Sequence, residues 1–152
     1  MSEVGDVGDV GDVGEVGEGG IARLLAQARD RIDRVTPLQV LAELDDGALL
    51  VDTRPEAQRR QEGEVDPSVG ALVVERNVLE WRLDPTSDAA IPEAAADRRV
   101  IVMCQEGYSS SLAADALRQV GVHRAADLDG GFAAWKQAGL PVAREGGVGG
   151  RT

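Results

Sequence analysis

The sequence predicts an α/β domain built on a mostly parallel sheet covered by helices on both faces. Short continuous apolar runs recur at "ALLVD" (48–52), "GALVVE" (70–75) and "RRVIVMC" (98–104), and runs of this length belong to strands buried on both sides. Segments of helical period lie between them, the order that right-handed strand–helix–strand crossovers require. A chain of 152 residues is long enough for one domain with a sizeable core.

Residues 4–20 repeat Val-Gly-acid with period three, and residues 1–20 hold six acids, no base and no aromatic residue. They read as a disordered acidic tail. Order is expected from Ile21, because Ile21, Leu24, Leu25, Ala28 and Ile32 share one helical face and define an amphipathic helix over 21–34. The main domain then spans 35–143. Thr36 caps a helix with Pro37 at its first position, and that helix ends near Gly47 before the 48–52 strand. Pro55 starts a helix over "PEAQRRQEGEV", and after the strand at 70–75 Asn77 caps a short helix that stops before Pro85. The clearest strand, 98–104, precedes the clearest helix, 109–121, with Leu112, Ala116, Leu117 and Val120 on its apolar face and Gly121 ending it. "RAADLDGGFAAWKQAGLPV" holds one more strand, a turn at Gly130-Gly131, and a helix over Phe132, Ala133 and Trp135 that ends at Gly139. Residues 144–152 are expected to form a flexible C-terminal tail.

Composition narrows the function. With 43% hydrophobic and 28% charged residues the chain reads as a soluble globular protein, and no apolar run approaches the length of about 18 residues that spans a bilayer. The acidic start lacks the basic and apolar regions of a secretory signal, so a cytoplasmic location is expected. The single cysteine cannot form an internal disulfide, which suits a reducing compartment. A single histidine, His123, argues against a histidine-rich metal site or a Cys-His pair. Of the net charge of −11, six negative charges fall in residues 1–20, leaving −5 for the rest. Nucleic acid is therefore not expected as a ligand, since phosphate binding needs clustered Lys and Arg, and the fifteen arginines are scattered.

Ligands of open α/β sheets bind beyond the carboxyl ends of the strands, which points to "CQEGYSSS" at 104–111. Cys104 follows a strand and a helix begins about five residues later. Backbone N–H groups of such a loop converge on one point, and the helix N-terminus adds roughly half a positive charge. A cysteine there is lowered from about 8.5 toward 3.5–7.5 and becomes a nucleophilic thiolate. Gly107 lets the loop fold back, and Ser109 and Ser110 either cap the helix or donate to an anion. The plain alternative is a buried structural cysteine at a strand end.

With "VDTR" upstream, "CQEGYSS" in the loop and "DLDGGFAAW" downstream, the chain resembles the rhodanese-like domain of the single-domain sulfurtransferases over residues 35–143. The resemblance implies a five-stranded, mainly parallel sheet with Cys104 at the bottom of a shallow cleft. It implies that Cys104 attacks the outer sulfur of a donor such as thiosulfate, and that the resulting persulfide passes its sulfur to cyanide or to a small or protein thiol. Neither a metal nor an organic cofactor is required. The donor would meet Gln105, Glu106, Gly107, Tyr108, Ser109 and Ser110. Glu106 departs from the basic side chains that good thiosulfate binders place beside the loop, and it would raise the cysteine and disfavour anions. "DPSV" lengthens a surface loop.

Other residues leave two readings each. Arg76 and Trp81 either line the cleft rim or are a surface arginine and a core tryptophan. Tyr108 covers the thiol or points to solvent. Asp52 and Arg54 form a structural ion pair or tie loops together, ahead of a catalytic part; His123 lies in an exposed turn; and Asp127 and Asp129 resemble a carboxylate pair but are read as making turn hydrogen bonds next to Gly130-Gly131. A cysteine phosphatase or arsenate reductase would need Arg at position 110, which is Ser. A non-catalytic rhodanese-like module that binds a partner or senses oxidants is the remaining alternative.

Overall fold

A computed structural model of the protein describes residues 19–143. The tails expected over most of 1–20 and over 144–152 lie outside the described residues. In chain order the elements are α1 (Gly20–Arg31), β1 (Asp33–Val35), α2 (Pro37–Asp45), β2 (Leu49–Asp52), α3 (Glu56–Glu62), β3 (Leu72–Val73), α4 (Leu79–Leu83), β4 (Val100–Met103), α5 (Ser109–Gln119), β5 (Ala126–Leu128) and α6 (Gly131–Gln137). The five strands form one parallel sheet in the order β1-β5-β4-β2-β3.

The apolar strands are buried on both faces because successive side chains alternate between two cores. Leu49, Val51, Val100 and Val102 face one core with Ala113, Ala114 and Leu117 of α5. Leu50, Ile101 and Met103 face the other with Phe132 and Trp135 of α6 and Val40 of α2. Thr36 caps α2 as expected: its hydroxyl accepts from the Gln39 N–H, and the Gln39 side chain accepts from the Thr36 N–H.

The helix expected over 21–34 ends at Arg31, and residues 33–35 are an edge strand paired with β5. Asp33 and Arg34 gave that strand no apolar signature, so the helical period ran over it. Asn77 is not a cap. It lies in a 3₁₀ turn over Arg76–Val78, and α4 starts without a side-chain cap. The buried face of α5 also differs from the expected stripe, with Ser110, Ser111, Ala113, Ala114, Asp115 and Leu117 buried and Val120 exposed. The reason is α1, which packs along α5 and supplies polar partners: Arg31 forks onto Asp115 at 2.8 and 2.7 Å, and Arg29 Nε donates to Ser111 Oγ at 3.0 Å.

The sheet order places the topological switch between β4 and β2. From there the chain proceeds outward on one side through β2 and β3 and on the other through β4 and β5, leaving a crevice at the carboxyl ends of β2 and β4.

The two tryptophans have opposite environments. Trp135 is fully buried and donates its indole N–H to the Pro141 carbonyl at 2.8 Å, whereas Trp81 is 60% exposed. Trp135→Ala is expected to cost about 3–5 kcal/mol in urea unfolding. Trp81→Ala should change stability by no more than about 0.5 kcal/mol.

Candidate functional site

Residue 104 is where β4 leaves the sheet. Its position is set by Thr53 at the end of β2, whose N–H and hydroxyl both donate to the Met103 carbonyl at 3.0 Å. Two N–H groups of the following turn then converge on the sulfur: Gly107 N–H at 3.1 Å and Ser110 N–H at 3.3 Å from Sγ. The second of these belongs to the first turn of α5, so the partial positive charge of that helix end is directed at the sulfur. Cys104 itself is only 6% exposed.

The turn needs glycine in two places. Gly107 has φ +89°, and a Cβ there would lie 2.7 Å from the Gly130 nitrogen. Gly131, at φ +63°, lets α6 approach so closely that a Cβ would lie 2.5 Å from the Cys104 carbonyl oxygen. That approach has a purpose: the N–H groups of Phe132 and Ala133 donate to the carbonyls of Cys104 and Gln105 at 2.9 and 3.0 Å. The Gly-Gly pair read from the sequence as a turn is therefore also the surface on which the cysteine loop rests.

Burial pushes the Cys104 thiol up. Hydrogen bonds from the Ser110 and Ser109 hydroxyls and from the Ser110 and Gly107 N–H groups outweigh it, so the thiol lies below its ordinary value. Ser110 has one hydroxyl proton, and its oxygen also lies 2.8 Å from Asp127 Oδ2. It can serve the carboxylate or the sulfur but not both, which leaves the two N–H bonds as the constant support. Glu106 was expected to raise the thiol; it is exposed, and the thiol is lowered beside it.

A cleft of about 550 Å³ opens over the sulfur, lined by the loop and by Thr53, Arg54, Gln58, Glu62 and Arg76. The structure brings Gln105, Glu106, Tyr108, Ser109 and Arg76 to this cleft with Cys104. Gly107 and Ser110 lie beneath it, each presenting its N–H to Sγ. Gln105 is engaged from below, its Oε1 accepting from Arg54 Nη1 at 2.9 Å. Arg76 pairs with Glu80 at 2.9 Å. Tyr108 is 61% exposed at the mouth, with the Arg29 guanidinium 5.5 Å from its ring centre. Neither serine side chain caps α5. Trp81 is neither core nor part of the lining.

Arg54 and Asp52 form the expected structural pair. The buried guanidinium contacts both Asp52 oxygens, at 3.0 and 2.8 Å, donates to the Gly63 carbonyl, and lies 4.3 Å from the Phe132 ring centre. Asp127 is not a turn residue. It is fully buried on β5 and accepts from Arg34 and from the hydroxyls of Ser110 and Ser111. Arg29, Arg34 and Ser111 were missed as neighbours of the loop. The available signal was an aspartate inside an apolar strand, "AADL", which must find buried donors. A larger hollow of about 800 Å³, with His123 and Arg99 in its wall, lies near the amino ends of the strands and holds no nucleophile.

The class defined by fold and site is an α/β domain with a cysteine at the switch point of its sheet, seated in backbone N–H groups at a helix start. Comparison specifies it further. The family model for the rhodanese-like domain matches residues 36–138, and the chain belongs to that family. It is 33% identical over 113 residues to a protein from Allochromatium vinosum named sulfurtransferase, covering 74% of this chain and 94% of that one. It is 34% identical over 106 residues to a maize adenylyltransferase and sulfurtransferase, covering 68% of this chain but spanning only 21% of the maize protein. Among solved structures, a protein of unknown function from Rhodopseudomonas palustris, described as a possible tyrosine phosphatase, is 29% identical with a TM-score of 0.72 over 84% of this chain and 97% of that one. The polysulfide-sulfur transferase homodimer of Wolinella succinogenes shares the fold, with a TM-score of 0.64 over 80% of this chain and 84% of that one at 22% identity.

A lowered folded thiol makes stability depend on pH. Between the folded value and the ordinary value of about 8.5, the unfolded state holds the proton that the folded state has released, so stability rises with pH in that window. The contribution is lost as pH falls through the folded value. The wild-type urea midpoint should rise through this window relative to that of Cys104→Ser, in which the increment is absent.

Proposed function

We propose that the protein is a sulfurtransferase with Cys104 as its nucleophile. The observation that carries the reading is the pair of N–H groups, Gly107 and Ser110, directed at a sulfur whose thiol is lowered despite burial. The thiolate attacks the sulfane sulfur of a donor, forming the Cys104 S–S bond as the donor's bond to that sulfur breaks. The leaving group, sulfite from thiosulfate or a thiolate from a persulfide, departs with the electron pair. The product is a Cys104 persulfide anion, stabilised by the same N–H groups. A thiolate or cyanide then attacks the outer sulfur, and Cys104 leaves as the thiolate. The protein's own groups do all of this by placing and holding charge.

The relatives named sulfurtransferases support this class of reaction. The phosphatase description of the Rhodopseudomonas neighbour finds no counterpart here, because position 110 carries a serine whose hydroxyl is 2.8 Å from Asp127 rather than a guanidinium for an oxyanion. Arg54 and Arg76 are matched around the cleft by Glu62 and Glu106, and both arginines already pair with acids. This mouth suits a persulfide or another donor of low charge better than dianionic thiosulfate. A reducing compartment, the cytoplasm, suits the exchange.

Incubation with thiosulfate or with a low-molecular-weight persulfide should load wild-type protein with cyanide-labile sulfur, and Cys104→Ser should load none. No labile sulfur from either donor would overturn the reading. Glu106→Gln should raise kcat/KM for thiosulfate about twofold to fivefold and leave that for a persulfide donor nearly unchanged.

A further inference from the structure

Two arginines on the segment that precedes the family match reach the cysteine loop from behind. Arg29 extends from α1 and Arg34 from β1, and each places Nη2 2.8 Å from the Gly107 carbonyl oxygen. Two charged donors therefore fill that carbonyl's two lone pairs, with the Ser111 hydroxyl further off at 3.4 Å. Arg34 is held by Asp127, through Nε at 2.9 Å and Nη2 at 3.2 Å, and by Asp129 at 3.2 Å. Arg29 is held by Ser111, whose hydroxyl also lies 2.8 Å from Asp127 Oδ2.

We infer that Arg29 and Arg34 are positioning residues for the Cys104 thiolate, acting through the Gly107 carbonyl that both of them bind. The inference rests on the reading of Cys104 as a nucleophile. A trans peptide is planar, so its N–H points opposite to its carbonyl. With the Gly107 carbonyl drawn toward the arginines, the Tyr108 N–H points away from them. The same restraint holds the chain between the two Sγ donors: Gly107, left-handed, whose own N–H lies 3.1 Å from Sγ, and Ser110, whose N–H lies 3.3 Å from it.

The charges act in the same direction. Behind the loop stand Arg29, Arg34, Asp127 and Asp129; along the cleft stand Arg54, Arg76, Glu62 and Glu106, with Tyr108 at its mouth. Removing Arg34 would leave the buried Asp127 carboxylate uncompensated behind the sulfur, which disfavours a thiolate. Burial opposes the Arg34 charge, but Asp127, Asp129 and Cys104 together raise it. Burial and the adjacent Arg34 cation lower Arg29, against the pull of the two aspartates.

The test measures the rate of Cys104 alkylation by iodoacetamide against pH, with urea midpoints recorded for the same proteins. Arg29→Gln and Arg34→Gln should move the half-rise to higher pH and lower the rate on the acid side about threefold or more. Arg29→Lys should recover much of that loss, because a lysine restores the charge and a donor. Arg31→Gln is the control, since Arg31 lies on the same helix but binds Asp115 and not the loop. It should lower the midpoint and leave the profile in place. Folded Arg29→Gln with a wild-type profile would overturn the inference, as would an equal shift from Arg31→Gln; if Arg34→Gln does not fold, Arg29→Gln decides. Alkylation needs no sulfur donor, so a shifted profile without persulfide formation would remove the sulfurtransferase reading alone.

Discussion

The site depends on the direction in which the carbonyls of the cysteine loop are pulled. Those of Cys104 and Gln105 are bound by N–H groups at the start of α6, and that of Gly107 by two arginines. These bonds hold the loop that presents the Gly107 and Ser110 N–H groups to Sγ. An N–H-lined cradle is a strained arrangement for a free loop, because adjacent amide dipoles repel one another. Here the loop that carries those N–H groups is bonded at three of its carbonyls, so the cradle exists before any ligand arrives. Such preorganisation is what lets fixed dipoles stabilise charge without reorganising during a reaction.

Binding the carbonyls requires placing charge in the interior. Asp127 is fully buried, and a buried carboxylate is tolerated only when paired and hydrogen-bonded. Its four bonds come from Arg34 on β1 and from two serines on α5. Because its donors come from two elements and the carboxylate from a third, the group fixes the relative placement of β1, β5 and α5. Arg54 does the same on the other side of the sulfur, joining Asp52 on β2, Gln105 in the loop and the Gly63 carbonyl after α3. Replacing one member of such a group leaves the others buried without partners, a large penalty for a single change. The two groups therefore define one arrangement of the loop more than they raise the overall stability.

The parts of this architecture that were legible in the sequence are those set by local pattern. The strand at 100–103 and helix α5 follow from apolar runs and turn residues, and the cysteine was placed at their junction because both boundaries were sharp. Strand β1 was not legible, since two of its three residues are charged and its pairing with β5 is a long-range fact. The buried face of α5 was misread for the same reason. Ser110, Ser111 and Asp115 look solvent-facing until α1 arrives with Arg29 and Arg31. The arginines that explain these features lie far off in sequence, 82 positions for Arg29 and Ser111, 84 for Arg31 and Asp115, and 93 for Arg34 and Asp127, and no periodicity reports such a pair.

The loop alone looked unsuited to holding a thiolate, with an acid at 106 and no base between 104 and 111. The fold resolves that difficulty by separating two functions by position. Cations that would attract anionic ligands if they stood in the cleft stand behind the loop instead, where they act on the sulfur through the peptide backbone. Under the proposed function Glu106, exposed at the mouth, would discriminate against anions without forcing the proton back onto the thiol, because solvent screens it while two N–H groups bond the sulfur directly. On the proposed reading, nucleophile activation and ligand charge preference are thus assigned to different residues, so that a change of sign at position 106 would alter which donor is accepted while the thiolate persists.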